Sequence, residues 1–327
     1  MKKKKVAIIG TVGIPAKYGG FETLVEHLTK VLSNNIDFTV YCSSKAYAKK
    51  SMFYQGAKLV YLPFDANGKE SLLYDAISVV HALKSANVLL LLGVGGGIML
   101  PFVKLFTRKK VLVNIDGLEW KRDKWGKKTK WLLKSLEKLC VQFSDIVIVD
   151  NKAIQEYVSV EYKLDSKLIE YGGDHTFREA PANSLLQNYG IAKSPYAFSV
   201  CRIEPENNIE IILKAFSNSN IPLLFVGNWG INEYGRKLKG IYKGYKNLFL
   251  LDPIYDQNKL NQLRSNASLY IHGHSAGGTN PSLVEAMTLE LPVICWDVAY
   301  NRYTTGNKAI YFHSHEDLRK KVGDLFY

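Results

Sequence analysis

The stretch Tyr270–Met287 reads YIHGHSAGGTNPSLVEAM, and it decides the fold of its half of the chain. An apolar run ends at His272, a turn of small residues follows, and Pro281 opens a helix. Proline suits the first helical position, where no backbone N–H is needed, and Thr279 or Asn280 can cap the helix. A buried strand, a glycine turn and a helix in succession predict one unit of a parallel α/β sheet.

The turn of this unit has the features of an anion site. Gly277 and Gly278 allow the main chain to turn tightly and to approach a ligand closely. The N–H groups of Gly278–Ser282 and the positive end of the helix dipole favour a phosphate there. Glu285 follows one helical turn after Pro281, and a carboxylate in that place suits sugar hydroxyls better than phosphate. Phosphate and sugar together indicate a nucleotide sugar, and a capped helix with a surface glutamate is the simpler alternative.

Outward from this stretch, apolar strands alternate with amphipathic helices such as Phe21–Leu32 and Trp131–Phe143. The pattern predicts two series of six strands, which are Val6–Ile9, Phe38–Cys42, Leu59–Leu62, Val88–Leu92, Val111–Ile115 and Ile146–Val149, then Ala197–Ile203, Pro222–Val226, Leu248–Leu251, Ala267–His272, Val293–Trp296 and Ala309–Phe312. Continuous apolar strands between amphipathic helices predict doubly wound parallel sheets. The alternation breaks near residue 175, so we expect two Rossmann-like domains, 1–175 and 176–327. The ligand would bind in the cleft between them.

Composition narrows the class of partner. The 327 residues are 47% hydrophobic and 22% charged, which is typical of a globular protein, but the net charge of +13 favours an anionic partner. The four cysteines are isolated and form no CxxC pair, which predicts a reducing cytoplasm and no zinc site. Residues 84–104 approach the length of a membrane span. Their glycines and proline predict instead a buried strand, a glycine loop and a short helix.

Three further positions lie at predicted strand ends, where such sheets bind ligands. Gly19 and Gly20 open the helix after the first strand and could contact a ligand. Arg202 ends the first strand of the second half, where a guanidinium can pair with a diphosphate. Asp116 follows the fifth strand and could act as a base or orient a hydroxyl, although an Asp-Gly pair often only forms a turn.

Residues 104–138 contain twelve basic and four acidic residues, and so carry eight of the thirteen net positive charges. Tryptophans interleaved with cations on an amphipathic helix are typical of a segment that contacts anionic lipid. Nucleic acid, on which tryptophan could stack, ranks below lipid because the glycine turns indicate a small-molecule site. A solvated basic face is the simpler alternative. The predicted acceptor or membrane residues are Trp120, Lys121, Arg122, Trp125, Lys127 and Lys128.

His272 and His274 could share one face of a strand and bind a metal. No carboxylate or cysteine nearby in the sequence completes such a site, so we predict no metal.

Four motifs together resemble a known family. GTVGIPAKYGGFETLVEHL, VNIDGLEWKRDKWG, CRIEPENN and HSAGGTNPSLVEAM look like those of GT-B glycosyltransferases, and specifically the bacterial rhamnosyltransferase branch of glycosyltransferase family 4. The resemblance covers nearly the whole chain.

This resemblance implies a hexosyltransferase that moves a sugar from a nucleotide donor, L-rhamnose from dTDP-L-rhamnose, to a lipid-diphosphate-linked saccharide. The enzyme would take part in capsule, exopolysaccharide or O-antigen synthesis, at the inner face of the bacterial plasma membrane. Such enzymes retain the anomeric configuration and need no metal or other cofactor. Glutamate at the position of Glu285 holds the donor ribose, which does not separate dTDP from UDP, and arginine at the position of Arg202 binds the diphosphate. The donor residues implied are Gly19, Gly20, Arg202, Gly278, Thr279, Asn280, Ser282 and Glu285.

The chain also departs from the wider family. An acidic residue usually stands eight positions before Glu285, where this chain has Gly277, and a lysine often follows the arginine where it has Glu206-Asn207-Asn208. Relatives also continue with helices beyond the last strand, and we expect a chain without these terminal helices to lose activity or stability. An inactive or binding-only homologue, and a sugar-nucleotide epimerase or phosphorylase on the same fold, are therefore the alternatives. The residues predict no particular oligomeric state.

Overall fold

The computed structural model describes residues 3–17, 19–122, 124–180 and 195–326. The chain divides into two compact units, Met1–Ile169 and Glu170–Tyr327, which are called unit 1 and unit 2 below. Each unit is built on its own mainly parallel sheet. Residues 181–194, which follow the predicted domain boundary near residue 175, lie outside the described residues.

Unit 1 contains an eight-stranded sheet. Across the sheet the order is β3-β4-β2-β1-β5-β6-β7-β8, and the pairs are parallel except for the β3–β4 hairpin. The first strand therefore lies in the middle, and the winding reverses direction between β1 and β5. In chain order the strands are β1 (Lys4–Ile9), β2 (Ile36–Ser43), β3 (Phe53–Tyr54), β4 (Ala57–Leu62), β5 (Val88–Leu92), β6 (Lys110–Asn114), β7 (Ile146–Val149) and β8 (Lys167–Leu168).

Helices connect these strands. The helices of unit 1 are α1 (Gly20–Leu32), α2 (Ser71–Ala82), α3 (Leu100–Phe106), α4 (Lys127–Phe143) and α5 (Lys152–Tyr162), with 3₁₀ turns at Gly68–Glu70, Gly95–Met99 and Glu119–Lys121. Of the described helices, none is both long and apolar enough to cross a bilayer. Residues 84–104 form β5, the glycine turn and the start of α3, as the interrupted apolar pattern predicted.

Unit 2 contains a six-stranded sheet in the order β11-β10-β9-β12-β13-β14, with every pair parallel. Its first strand, β9, again lies in the middle. The strands are β9 (Ala197–Val200), β10 (Leu223–Val226), β11 (Leu248–Leu251), β12 (Leu269–His272), β13 (Val293–Trp296) and β14 (Ile310–Phe312). The helices in the described part of unit 2 are α6 (Ile209–Ser217), α7 (Glu233–Tyr242), α8 (Gln257–Ser265), α9 (Pro281–Thr288), α10 (Ala299–Thr304) and α11 (His315–Phe326), with a 3₁₀ turn at Pro205–Asn207.

Strand β10 shows why the apolar runs form sheets of this kind. Successive side chains of a strand point to opposite faces. Leu223 and Phe225 pack into the core on one face, and Leu224 and Val226 pack into a separate core on the other. A strand that is buried on both faces must be continuously apolar.

The predicted fold class is confirmed, because each unit is a parallel sheet between layers of helices. All twelve predicted strands are present, with ends that differ by a few residues. The sequence did not predict β3 and β8, which have two residues each and lie at the two edges of the unit 1 sheet. Two residues are too few to show a periodic pattern.

Candidate active site

The candidate donor site lies where the winding of the unit 2 sheet reverses. Strands β9 and β12 are neighbours at this point, with Leu269 opposite Ala197 and Tyr270 opposite Phe198. Loops that follow the carboxyl ends of two such strands diverge to opposite faces and leave a crevice in which ligands bind. The loop after β9 carries Arg202, and the loop after β12 carries the glycine turn.

Direct hydrogen bonds hold the two loops together. The backbone N–H and the hydroxyl of Ser275 both donate to the carbonyl of Glu206, at 2.9 and 2.8 Å. The side-chain amide of Asn208 donates to the carbonyl of Gly273 at 2.8 Å. A Cβ on Gly273 would lie 2.2 Å from the carbonyl oxygen of Asn207, so only glycine fits there. The loops therefore form one structure rather than two independent segments.

Arg202 has an exposed side chain in this structure. Its carbonyl accepts a hydrogen bond of 2.6 Å from the side-chain amide of Asn207. The backbone at Arg202 is thereby fixed. Its exposed side chain ends in a guanidinium, which is the group best suited to pair with a diphosphate.

Helix α9 begins with a side-chain cap. The Asn280 Oδ1 atom accepts from the backbone N–H of Ser282 at 3.1 Å and from its hydroxyl at 2.7 Å. The hydroxyl of Tyr270 donates to the Ser282 Oγ atom at 2.9 Å. Asn280 and Ser282, which were predicted to bind the donor, thus take part in the helix cap itself. The N–H groups nearest a bound anion would be those of the residues before the cap, Gly277–Thr279.

Gly277 and Gly278 form the bend before this cap, and Gly278 is half-buried. Gly277 has a φ of 117°, in a region that favours glycine, and its Cα faces open space. Thr279 is buried, and its hydroxyl lies 3.4 Å from that of Thr304 on α10. The predicted glycine turn is therefore present, with the backbone geometry that glycine alone adopts readily.

Glu285 is a nearly buried carboxylate held from two sides. Its Oε2 atom lies 2.5 Å from Arg264 Nη2 on α8, and its Oε1 atom lies 3.0 Å from His175 Nε2. The side chain of Arg264 is 1% exposed, and that of Glu285 is 12% exposed. Each carboxylate oxygen has two lone pairs, so both can still accept a hydrogen bond from a ligand. Glu285 is thus a fixed acceptor rather than a surface glutamate.

Sequence reasoning missed both partners of Glu285. Arg264 lies in the last turn of a polar helix. A basic residue at this position is expected to be exposed to water and to interact with the negative end of the helix dipole. His175 comes from the segment 110 residues before Glu285. The only available signal was an arginine in front of the apolar run of β12, and that signal is weak.

His272 and His274 form a stack, with ring centroids 4.4 Å apart and planes within 11° of parallel. His272 is fully buried, and this burial lowers its pKa to about 3, so the ring is neutral at physiological pH. Within the described part of the chain, no three His, Cys, Asp or Glu side chains come together to hold a metal ion. The stack lies at the end of β12, just before the glycine turn in the chain.

In unit 1, Gly19 precedes α1 with a φ of 75°, and Gly20 is the first residue of the helix. The buried carboxylate of Glu22, in the first turn, accepts a hydrogen bond of 2.7 Å from the backbone N–H of Val12. This carboxylate already supplies the negative charge that the helix N-terminus favours. The contact of Gly19 and Gly20 with a donor stays a prediction.

Asp116 follows the end of β6 and is half-buried. Its backbone has a φ of 61°, and its N–H donates to the Asn114 Oδ1 atom at 2.9 Å. Aspartate is among the few residues other than glycine that tolerate this conformation. The backbone is therefore set by the turn, and it places a carboxylate at the carboxyl end of the strand.

The predicted acceptor or membrane residues fall into two groups. Trp120, Arg122 and Trp125 are engaged within unit 1: the Trp120 indole donates to Glu137 at 3.1 Å and the Trp125 indole to Glu119 at 3.0 Å. Arg122 is buried and pairs with Glu119 at 2.7 Å. The exposed group is Lys121, Lys127 and Lys128.

Lys127 and Lys128 line an open groove at the start of α4 together with Trp131 and Leu132. The Trp131 side chain is 72% exposed, so a large apolar ring stands in water beside two cations. A second exposed apolar group lies on α3, which carries Phe102, Leu105 and Phe106.

Two family models match the chain. Residues 3–174 match the family described as Domain of unknown function (DUF1972), and residues 184–325 match Glycosyl transferases group 1. A search of curated proteins returned no match.

Solved structures share the fold at low sequence identity. A sucrose-phosphate synthase from Thermosynechococcus elongatus is 15% identical, with a TM-score of 0.81 over 99% of this chain and 90% of the other. The Anabaena protein HepE in complex with UDP-glucose is 14% identical, with a TM-score of 0.75 over 99% and 89%. A Listeria monocytogenes protein provisionally described as a UDP-N-acetylglucosamine 2-epimerase is 16% identical, with a TM-score of 0.62 over 99% and 88%. These similarities show that the chain has the GT-B fold.

Proposed function

Because the chain belongs to the family described as Domain of unknown function (DUF1972) and carries a group 1 glycosyl transferase domain on a GT-B fold, we propose a donor and an acceptor for this glycosyltransferase. The donor is a nucleoside diphosphate sugar, dTDP-L-rhamnose or its UDP-linked counterpart. The acceptor is a lipid-diphosphate-linked saccharide. One observation carries the proposal: Glu285 is held as a fixed carboxylate one helical turn after the glycine turn, where β9 and β12 diverge.

The donor would bind with its diphosphate at Gly277–Thr279 and its nucleoside at Glu285. Backbone N–H groups and the positive end of the α9 dipole favour the diphosphate, and the exposed guanidinium of Arg202 adds a charged partner. The carboxylate of Glu285 accepts hydrogen bonds from ribose hydroxyls. The HepE structure contains UDP-glucose on the same fold, which supports a donor of this class.

The reaction would proceed with retention of the anomeric configuration. The bond between the anomeric carbon and the diphosphate oxygen breaks, and the acceptor hydroxyl forms the new bond on the same face of the sugar. The leaving diphosphate takes up negative charge, which Arg202 and the N–H groups before α9 stabilise. The acceptor proton passes to the leaving phosphate oxygen or to Asp116, which we assign to orienting the acceptor hydroxyl.

This arrangement of charges would work without a metal ion, since a guanidinium and a helix N-terminus take the place of a cation at the diphosphate. Transfer should therefore proceed in excess EDTA at the rate seen with added Mg²⁺. A complete loss of transfer in EDTA that Mg²⁺ reverses would contradict this part of the proposal.

A lipid-linked acceptor requires a protein that reaches the membrane surface. Lys121, Lys127 and Lys128 would attract anionic headgroups, and Trp131 and Leu132 would enter the interface between headgroups and acyl chains. We therefore place the protein at the inner face of the bacterial plasma membrane, as a peripheral protein. The exposed apolar side chains of α3 would contribute a further contact.

The decisive experiment is a thermal-shift screen with UDP, dTDP, GDP and ADP, followed by transfer assays with the matching rhamnose and glucose donors. We expect dTDP or UDP to stabilise the protein most, because stabilisation ranks the ligands by affinity. Glu285→Gln should abolish most of this shift. Wild-type affinity in that variant would remove Glu285 from the donor site.

An epimerase is the second candidate, since one structure of the same fold is described as an epimerase. Incubation of the donor with and without a lipid-linked acceptor separates the two. A changed sugar nucleotide without acceptor would favour the epimerase, and donor binding without product in either case would favour a binding-only homologue.

A further inference from the structure

Arg264 is buried beside the candidate donor site but cannot itself meet a ligand. Its side chain is 1% exposed and lies at the end of α8, with Nη2 against the Glu285 carboxylate and Nη1 3.4 Å from the Asn261 Oδ1 atom. Burying a guanidinium is costly unless a carboxylate pairs with it. The pair is therefore constrained on both sides, and Arg264 can influence a ligand only through Glu285.

We propose that Arg264 is a positioning residue, which holds the Glu285 side chain in the one orientation that accepts hydrogen bonds from the ribose hydroxyls of the donor. The proposal rests on the donor site described above. It adds that ribose recognition is prepared before the donor arrives, by a pair of residues of which only one touches the ligand.

The geometry of the carboxylate supports this role. Arg264 occupies one lone pair of Oε2 at 2.5 Å, and His175 approaches Oε1 at 3.0 Å. A side chain held at both oxygens loses little rotational freedom when a ligand binds, and preorganisation of this kind improves affinity.

The test compares two ligands that differ only in the ribose hydroxyls, UDP and 2′,3′-dideoxy-UDP, with dTDP and 3′-deoxy-dTDP as a second pair. Dissociation constants would be measured by calorimetry for wild type, Arg264→Met, Arg264→Lys and Glu285→Gln. Arg236→Met is the matched control, because Arg236 is exposed on α7 and bonds only to the carbonyl of Gly230 among the described contacts.

We expect wild type and the control to bind the hydroxylated nucleotide about tenfold more tightly than its deoxy analogue, as befits a hydrogen bond to a charged group. In Arg264→Met this preference should disappear, through weaker binding of the hydroxylated nucleotide alone. Arg264→Lys should restore part of it. If Arg264→Met proves unstable, Arg264→Lys and the double variant Arg264→Met/Glu285→Gln test the role of Arg264 instead. The double variant removes both members of the buried ion pair, so we expect it to bind both nucleotides as Glu285→Gln does.

Two results would overturn the proposal and are distinguishable. If wild type shows no preference for the hydroxyls, the contact between Glu285 and ribose is absent, and the donor site fails together with this inference. If wild type has the preference and Arg264→Met keeps it, or weakens both nucleotides equally, only the role of Arg264 fails. An equal loss would mark Arg264 as a purely structural residue.

Discussion

Gly277 stands where the wider family that the sequence resembles has an acidic residue, and its backbone gives a physical reason for the difference. Its φ of 117° lies outside the regions that residues with a Cβ adopt readily. Space is not the obstacle, because a Cβ added at Gly277 would have no other atom within 4 Å. The conformation of the loop, rather than crowding, excludes a side chain at this position.

Gly277→Ala should therefore weaken donor binding. The strain costs about 1–3 kcal/mol, and the loop can relieve it only by moving the N–H groups that would face the diphosphate. We expect affinity for the preferred nucleoside diphosphate to fall about tenfold, as measured by calorimetry. Gly240→Ala is the matched control: Gly240 lies in α7 with open space around it, so alanine there should raise stability by about 0.5–1 kcal/mol. Unchanged affinity in Gly277→Ala would show that the turn does not contact the ligand.

Asp116 offers a clean separation of backbone and side-chain roles. Asparagine tolerates the same positive φ as aspartate, so Asp116→Asn should keep the turn after β6 and lose only the carboxylate. If the carboxylate orients the acceptor hydroxyl, the rate of transfer should fall about a hundredfold or more while donor affinity stays unchanged. A rate within a factor of two of wild type would leave Asp116 as a turn residue.

The residue scale also shows where sequence reasoning reaches its limit. The turn and Glu285 could be predicted because they lie within one strand–turn–helix unit, whose spacing is visible in the sequence. Arg264 and His175 could not, since they meet Glu285 only through the tertiary fold. Ser282 could be named, but only the structure shows that its N–H and hydroxyl are used in the cap of α9.

Among the elements, the basic segment before and within α4 was predicted to contact anionic lipid along its whole length. In the structure, some of its side chains are engaged within unit 1 and only the others are exposed. Two glutamates turn inward. Glu137 is buried and accepts from the hydroxyls of Tyr157 and Tyr162 at 2.6 Å each, while Glu119 is bonded to Arg122 and Trp125. The carboxylates of Glu119 and Glu137 are thus engaged in contacts within unit 1, while Lys127 and Lys128 remain exposed at the start of α4.

Lys127→Gln/Lys128→Gln should weaken binding to vesicles that contain phosphatidylglycerol. Each lysine near an anionic surface contributes about 1 kcal/mol, so the partition coefficient should fall about thirtyfold in a sedimentation assay. Lys237→Gln/Lys243→Gln, two exposed lysines at α7, removes the same charge elsewhere. An equal loss in both variants would indicate attraction through total charge rather than docking through α4.

At the scale of the whole molecule, the stability of the protein should depend on one buried acid. Asp75 lies on α2, against the 3₁₀ turn of unit 1 that begins at Gly95. A Cβ on Gly95 would be 2.1 Å from the Oδ2 atom of Asp75. Burial raises the pKa of Asp75 to about 8 from 3.8. The folded protein therefore keeps a proton that the unfolded chain releases above pH 4, and this group makes stability fall as pH rises from about 4 to about 8.

Asp75→Asn should remove that slope. The melting temperature of the variant relative to wild type should rise between pH 5 and pH 8, whatever the cost of the amide itself, because that cost is the same at both values. Asp252→Asn, at an exposed ion pair with Lys239, should shift little between the two. A parallel pH dependence in wild type and Asp75→Asn would show that the buried carboxyl does not titrate in this range.

Most of the fold could be predicted from the sequence, because buried parallel strands leave long apolar runs. The edges could not be: β8 consists of two exposed residues, and β3 contains one exposed and one half-buried residue, Phe53 and Tyr54. Strands as short as these are defined by their hydrogen bonds to a neighbouring strand, and two residues are too few to show a sequence pattern for such pairing.

The strand order of unit 1 has a consequence for folding during synthesis on the ribosome. Its first strand lies mid-sheet, and each described strand pair of that sheet joins residues before position 170. Every partner that β1 needs has therefore left the exit tunnel well before synthesis of the second sheet is finished. Unit 1 can close its core while the ribosome is still translating unit 2, which limits the time that its apolar strands spend exposed to other unfolded chains.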